Sequence, residues 1–191
     1  MELLEQRILA EGKVKPGGIL KVDGFLNHQL DPSLFYEMAQ ELHRLFAGEH
    51  VDKVLTVEAS GIALAIMTAY AFSCRAVFAK KSKSKNISDD VYSAEVESFT
   101  HGNTNTVIVS KEYLHPGERV LIVDDFLATG AALIGLREIV RQSGAELVGA
   151  GIAVEKVFQD GGNKLRAEGM HIESLAKIAS MSDDGLTFVQ D

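Results

Sequence analysis

Val120-Leu121-Ile122-Val123-Asp124-Asp125-Phe126-Leu127-Ala128-Thr129-Gly130-Ala131-Ala132 decides how this chain folds. Four consecutive apolar residues predict a strand buried on both faces, as in a parallel sheet. Two carboxylates stand at its C-terminal end, the edge where open α/β sheets collect their ligands. A loop of small residues follows, and Leu133, Leu136, Ile139 and Val140 then fall at helical spacing. The loop therefore delivers Thr129 and the amides after it to a helix N-terminus. Free N–H groups and the positive end of the dipole make such a place an anion site. Small side chains let a phosphate reach the backbone, and the Thr129 hydroxyl adds a donor. Acceptors for sugar hydroxyls and donors for a phosphate thus lie a few residues apart, as a phosphorylated sugar needs. Taken singly, these parts are generic: many doubly wound proteins carry an acid at a strand end, and every βα turn exposes some amides.

The rest of the composition bounds the answer. The chain has 191 residues, 46% hydrophobic and 24% charged, which suits one α/β domain. A chain of this size buries roughly 70% of its unfolded surface and needs no disulfide. Its single cysteine, Cys74, lies in an apolar stretch and reads as a small buried or half-buried thiol in a cytosolic setting. No segment has the apolar length of a membrane span or a signal peptide. The net charge of −8 argues against general affinity for nucleic acid.

In chain order, residues 2–11 predict a helix with Leu3, Leu4, Ile8 and Leu9 on one face. Residues 19–30 begin like a strand and turn irregular, with no function legible in their physics. Asp31-Pro32 starts a helix as cap and first residue. Val54 to Val57 is a core strand, and Glu58-Ala59-Ser60-Gly61 leads into an apolar helix. That makes a second strand, small loop and helix N-terminus, hence either a second anion site or an ordinary βα turn. Ala76 to Ala79 is another strand, followed by Lys80-Lys81-Ser82-Lys83-Ser84-Lys85. A charge run is usually a solvated face; this one leaves the ligand edge of a strand, which favours a functional reading. Residues 82–105 form a long polar loop of the kind that serves as a lid, with Val91, Tyr92, Val96 and Phe99 giving its base a ribbon form. Strands follow at Thr106–Val109 and 146–154, a C-cap at Gly144, a break at Gly161-Gly162, a short helix with Leu165, and closing strands at 171–178 and 186–189.

The Val120–Ala132 run as a whole resembles the 5-phosphoribosyl-1-pyrophosphate (PRPP) signature of the type I phosphoribosyltransferases. The resemblance implies an α/β fold with a central, mainly parallel sheet flanked by helices and a small hood built from the N-terminal and C-terminal segments. It reads as one domain, 1–191, with a core of about 50–155 and a hood from about 1–35 and 156–191. By position, Asp124 and Asp125 take the ribose hydroxyls, and Ala128, Thr129, Gly130, Ala131 and Ala132 cradle the 5-phosphate. Ala59, Ser60 and Gly61 with Lys80 receive pyrophosphate, and Lys81 joins the two acids as a catalytic group. The family often has a second Thr where Ala132 stands; backbone donors survive that change. Magnesium travels mainly with PRPP, with no protein ligand assigned to it. No covalent nucleophile is expected: Ser60 lacks a neighbouring base.

A closer resemblance, to the family's xanthine-using members in bacteria, rests on Leu20 to Asp23 with Phe25 to Gln29, Glu58 to Ala63, Val123 to Ala128, Val154 to Phe158, and Glu173 to Ala176. It implies that Leu20, Asn27 and Lys156 contact the purine, in cytoplasmic homodimers of a salvage enzyme. Chemically, a cation at Lys156 suits an oxopurine and an amide at Asn27 suits a second carbonyl with its adjacent N–H. On residues alone, Lys156 could equally snorkel or pair with Glu155. Preference for hypoxanthine or guanine is the nearest rival. A PRPP-sensing regulator on the same fold is a rival of another class, but about 50 residues before the first core strand leave no room for a DNA-binding domain beside the hood. An RNA-binding attenuator would need a basic face, and the one lysine cluster lies at the expected loop.

Overall fold

The computed structural model describes residues 1–81, 90–97, 104–182 and 185–190. Helix α1 (Glu2–Glu11) buries Leu4 and Ile8, while Leu3 and Leu9 are exposed. This corrects the four-residue apolar face: adjacent helical residues point about 100° apart, so only the i, i+4 pair faces inward. Strands β1 (Lys13–Lys15) and β2 (Ile19–Lys21) make an antiparallel hairpin, and a single wide turn follows at Asp23–Asn27. Asp31 caps α2 (Pro32–Leu45), its carboxylate accepting from the Ser33 and Leu34 N–H groups, as Asp-Pro predicts.

The ligand-bearing core then alternates strand and helix: β3 (Lys53–Val57), α3 (Gly61–Ala71), β4 (Arg75–Ala79). Strands β5 (Val91–Glu97) and β6 (Thr104–Ser110) pair antiparallel as a separate ribbon. Its base is the ribbon expected there; Phe99 and most of the 82–105 loop lie outside the described residues. Next come β7 (Arg119–Leu127), α4 (Ala131–Ser143), β8 (Glu146–Lys156), α5 (Gly161–Ala167), β9 (Ile172–Ser182) and β10 (Gly185–Phe188). Gly144 closes α4 in the left-handed region at φ 71°, a conformation glycine adopts without cost. Gly161 and Gly162 open α5 instead of standing apart from it.

One six-stranded sheet runs β10-β9-β8-β7-β3-β4, and every pairing is parallel except β10 with β9. The apolar run of β7 is central. Leu121 and Val123 face a cluster with α1, α2, α3 and the N-terminal hairpin. Val120 and Ile122 face a second cluster with α4 and the ribbon. Alternate residues of one strand thus serve two cores, which is why the run is continuously apolar. The C-terminal ends of β3, β4, β7 and β8 share one edge of the sheet.

Leu121 is fully buried between these layers. Leu121→Ala should therefore destabilise the fold by about 3 kcal/mol in urea titration; a loss below about 1 kcal/mol would contradict two-sided burial of β7.

Candidate active site

Residues from four segments meet at that edge. A cavity of about 220 Å3 is lined by Glu58, Ser60, Lys81, Asp124 and Asp125, with Asn105, Val96, Ala132 and other apolar side chains around them. Asp124 and Asp125 lie within β7, which runs on past them to Leu127 instead of ending at Val123, and are 5% and 8% exposed. The Asp125 N–H donates to Asp124 Oδ1 at 3.0 Å. Burial, and then the charge of Asp125, push the Asp124 carboxyl well above its usual range.

The second strand–loop–helix unit forms the opposite wall. Glu58 Oε1 accepts from the Lys81 N–H at 2.7 Å, tying the end of β3 to the segment after β4. The Glu58–Ala59 peptide is cis. Ser60 precedes α3 without capping it through its side chain. Gly61 lets the helix settle onto the sheet: a Cβ there would collide with Thr56 Oγ1 and lie 2.8 Å from Asp124 Oδ1. The buried Thr56 hydroxyl has no hydrogen-bond partner among the described residues.

Ala128 to Ala132 line an adjoining hollow of about 160 Å3 with Phe126, Leu127, Leu133 and Val96. Ala132 and Val96 border both spaces. Gly130 sits at φ 88° as the residue before α4, so the chain turns sharply and the first helical N–H groups face outward. The hydroxyl-binding and phosphate-binding halves read from the sequence are therefore neighbours in space.

Lys156, the last residue of β8, is half-buried and stands 5.8 Å from the centre of the Phe126 ring. Its Nζ donates to the Gly18 carbonyl at 3.0 Å, which fastens the β1–β2 hairpin to the site edge. Desolvation lowers its pKa. Leu20, on that hairpin, is buried in the first core cluster. The alternative pairing of Lys156 with Glu155 is not made, because Glu155 binds Arg166.

Of the expected residues, Leu20, Asn27, Ala59, Gly61, Lys80 and Lys156 line neither the cavity nor the adjoining hollow. Lys80 lines a hollow beside β4, with its Nζ 5.9 Å from the Phe78 ring centre. Asn27 is exposed on its turn. Glu58, Phe126 and Asn105 are among the lining residues to which the sequence reading gave no role. Glu58 carried a signal, an acid at a strand end like Asp124. Phe126 carried a weaker one, next to the acids. Asn105 carried none, since only the ribbon register, Val96 opposite Asn105, brings it here.

The model of the phosphoribosyl transferase domain matches residues 25–179. The chain belongs to the phosphoribosyltransferase family. Among relatives, xanthine phosphoribosyltransferase of Ruminiclostridium cellulolyticum is 54% identical over 190 residues, covering all of both chains. The enzyme of the same name from Alkaliphilus metalliredigens is 55% identical over 191 residues, covering all of this chain and 95% of its own. Among solved structures, adenine phosphoribosyltransferase from Giardia lamblia with 9-deazaadenine superposes with TM-score 0.76 at 20% identity, covering 91% of this chain and 97% of its own. The adenine enzyme from Rhodothermus marinus gives 0.74 at 21%, covering 93% and 99%. These two share the phosphoribosyltransferase fold with this chain.

The raised Asp124 pKa has a stability consequence. An acid titrating above the unfolded value of 3.8 contributes stability that is full below that pH and is lost as pH rises through the folded value. Asp124→Asn, neutral at every pH, should melt above the parent protein near pH 8, with the gap closing towards about pH 4. A pH-independent gap in thermal denaturation would contradict the shift.

Proposed function

We propose that this phosphoribosyltransferase, an enzyme of the glycosyltransferase class, moves the 5-phosphoribosyl group of PRPP to N9 of xanthine, releasing pyrophosphate and forming xanthosine 5′-monophosphate for purine salvage. The observation that carries the site assignment is the juxtaposition of two buried carboxylates, a left-handed glycine turn at a helix N-terminus, and a second loop–helix unit around adjoining cavities. The roughly 50% identity to xanthine-using relatives over the whole chain supports the choice of base.

The roles follow from chemistry. The bond from the anomeric carbon to pyrophosphate breaks as the purine nitrogen approaches, so positive charge gathers on the sugar and negative charge on the leaving group. Asp124 and Asp125 accept from the ribose hydroxyls and sit where that positive charge develops. Thr129 and the N–H groups of Ala128 to Ala132 hold the 5-phosphate. One exposed helix terminus contributes only about 0.3–1 kcal/mol, so several donors must act together in a water-poor site. Ala59, Ser60 and Gly61 face the leaving pyrophosphate, with Lys81 beside them and Lys80 joining if its side chain swings from Phe78. Leu20, Asn27 and Lys156 receive the purine, Lys156 exchanging the Gly18 carbonyl for a purine oxygen. The hood reading, 1–35 with 156–191 over a 50–155 core, is supported by the Lys156–Gly18 bond.

The donor set also fits magnesium. Glu58, Asp124 and Asp125 offer hard carboxylate oxygens in one cavity, but no group of three potential ligands in metal-holding proximity occurs among the described residues. PRPP would thus supply most of the ion's oxygens, and the ion would neutralise the leaving pyrophosphate. A homodimer is supported by the apolar side chains Ile66, Tyr70 and Phe78 exposed on α3 and β4, beside the open edge of the sheet. The lone, half-buried Cys74 fits a reducing, cytoplasmic compartment. No helix among the described residues is long and apolar enough to cross a membrane.

Nucleotide formation from PRPP and magnesium with xanthine, guanine, hypoxanthine and adenine in parallel tests the reading. Xanthine should lead and adenine should be rejected by a factor of roughly 10⁴ or more, because adenine offers Lys156 no carbonyl oxygen to take the place of that of Gly18. A lead for guanine or hypoxanthine would keep the PRPP site and overturn the choice of base. Lys156→Ala should raise KM for xanthine at least about tenfold and leave KM for PRPP within about twofold; equal losses for both would remove its role.

A further inference from the structure

Glu155 is 1% exposed, as little accessible to water as Asp124 and Asp125 at 5% and 8%. Both its oxygens accept from Arg166 of α5, Nη1 to Oε1 and Nη2 to Oε2, each at 2.7 Å. The Ser174 hydroxyl of β9 donates to Oε2 as well, and Arg166 Nε donates to the Ile172 carbonyl at 3.3 Å. Burial opposes the Glu155 charge, but Arg166 and Ser174 outweigh it and hold the carboxyl below its usual range. A bidentate pair with one partner buried fixes geometry in a way that an exposed pair does not.

What it fixes is next to the loop Ala128–Ala132. Gly162 lies against the clamp: a Cβ there would run into Glu155 Oε1 and come within 2.8 Å of Arg166 Nη1. Gly161, one residue earlier, donates its N–H to the Ala128 carbonyl at 3.2 Å. A Cβ on Gly161 would lie 2.6 Å from Gly130 N, so α5 begins in contact with the Thr129–Gly130 peptide. Leu165, buried one turn on, is 3.0 Å from where a Gly130 Cβ would stand. Helix α5 is thus the back wall of the loop, and Arg166 is the bolt that holds the wall.

We propose that Glu155 is a positioning residue: by clamping Arg166 it presses α5 against Ala128–Gly130 and sets the loop's N–H groups for the 5-phosphate. The inference rests on the reading of that loop as the 5-phosphate site.

Steady-state kinetics on the full chain, varying PRPP and xanthine separately, tests this. Glu155→Gln, which keeps the shape and removes the charge, and Gly162→Ala, which wedges the clamp without touching a charge, should each raise KM for PRPP roughly tenfold and move KM for xanthine less than about twofold. Ser174→Ala, a milder loss that spares the ion pair, should raise KM for PRPP by about two- to threefold and keeps the test alive if the other variants do not fold. Ala131→Asp, placing a negative charge in the loop itself, tests the underlying assignment. An unchanged KM for PRPP in Ala131→Asp would overturn the 5-phosphate reading and the clamp with it. A raised value there, with Glu155→Gln, Gly162→Ala and Ser174→Ala losing only thermal stability, would overturn the clamp alone. A rise in KM for xanthine without one for PRPP would also overturn it, assigning the pair to Lys156.

Discussion

Two adjacent carboxylates buried at the end of an apolar strand are the constraint around which this molecule is arranged. Asp124 and Asp125 are nearly out of water, and a like-charged pair in that position opposes folding. The local structure offsets part of that cost through the Asp125 N–H bonded to Asp124. It also leaves a cavity before the pair, where polar groups of a ligand can enter. The remaining charges of the cavity come from other segments: Glu58 after β3 and Lys81 after β4. Gly61 is the residue that permits this closeness, since α3 begins in contact with both Thr56 and Asp124. Function here is concentrated where the fold is least comfortable.

The Ala128–Ala132 loop has a different support. Its loop is short, made of small residues, and turned by a glycine at φ 88°. Such a loop has little side-chain packing of its own. Its shape comes from behind, through the contact of Gly161 with the Thr129–Gly130 peptide and the Glu155–Arg166–Ser174 group. The N-terminal hairpin depends on yet another long-range tie, the Lys156 bond to the Gly18 carbonyl across 138 residues of sequence. The small-residue loop and the hairpin are thus each tied down by a contact distant in sequence, and both ties end on neighbouring residues of β8.

Local patterns carried most of the architecture. The apolar run of β7, the Asp31-Pro32 helix start, the Gly144 cap and the two strand–loop–helix units are each set by chemistry within a few residues, and each forms as read. The Leu3 and Leu9 side chains did not follow, because a run of four apolar residues on a short helix does not by itself say which pair faces the core. Asn105 and the clamp were illegible for a related reason: their partners are distant in sequence. Glu155 and Lys156 are adjacent and oppositely charged, which suggests a local pair. Arg166 wins the carboxylate because α5 folds back over β8 and offers two parallel N–H donors.

By itself, then, the sequence determined the strand, the acids, the small-residue loop and the helix that follows, because backbone propensity and hydrophobic period act over short distances. It also carried the resemblance that led to PRPP and an oxopurine. Only the tertiary structure decided that Lys81 joins the acids while Lys80 lies over Phe78, that Lys156 reaches the hairpin, and that α5 stands behind the phosphate loop. Those choices turn on which surfaces the sheet brings together and on which buried groups must find partners there, and no periodicity along the chain encodes them.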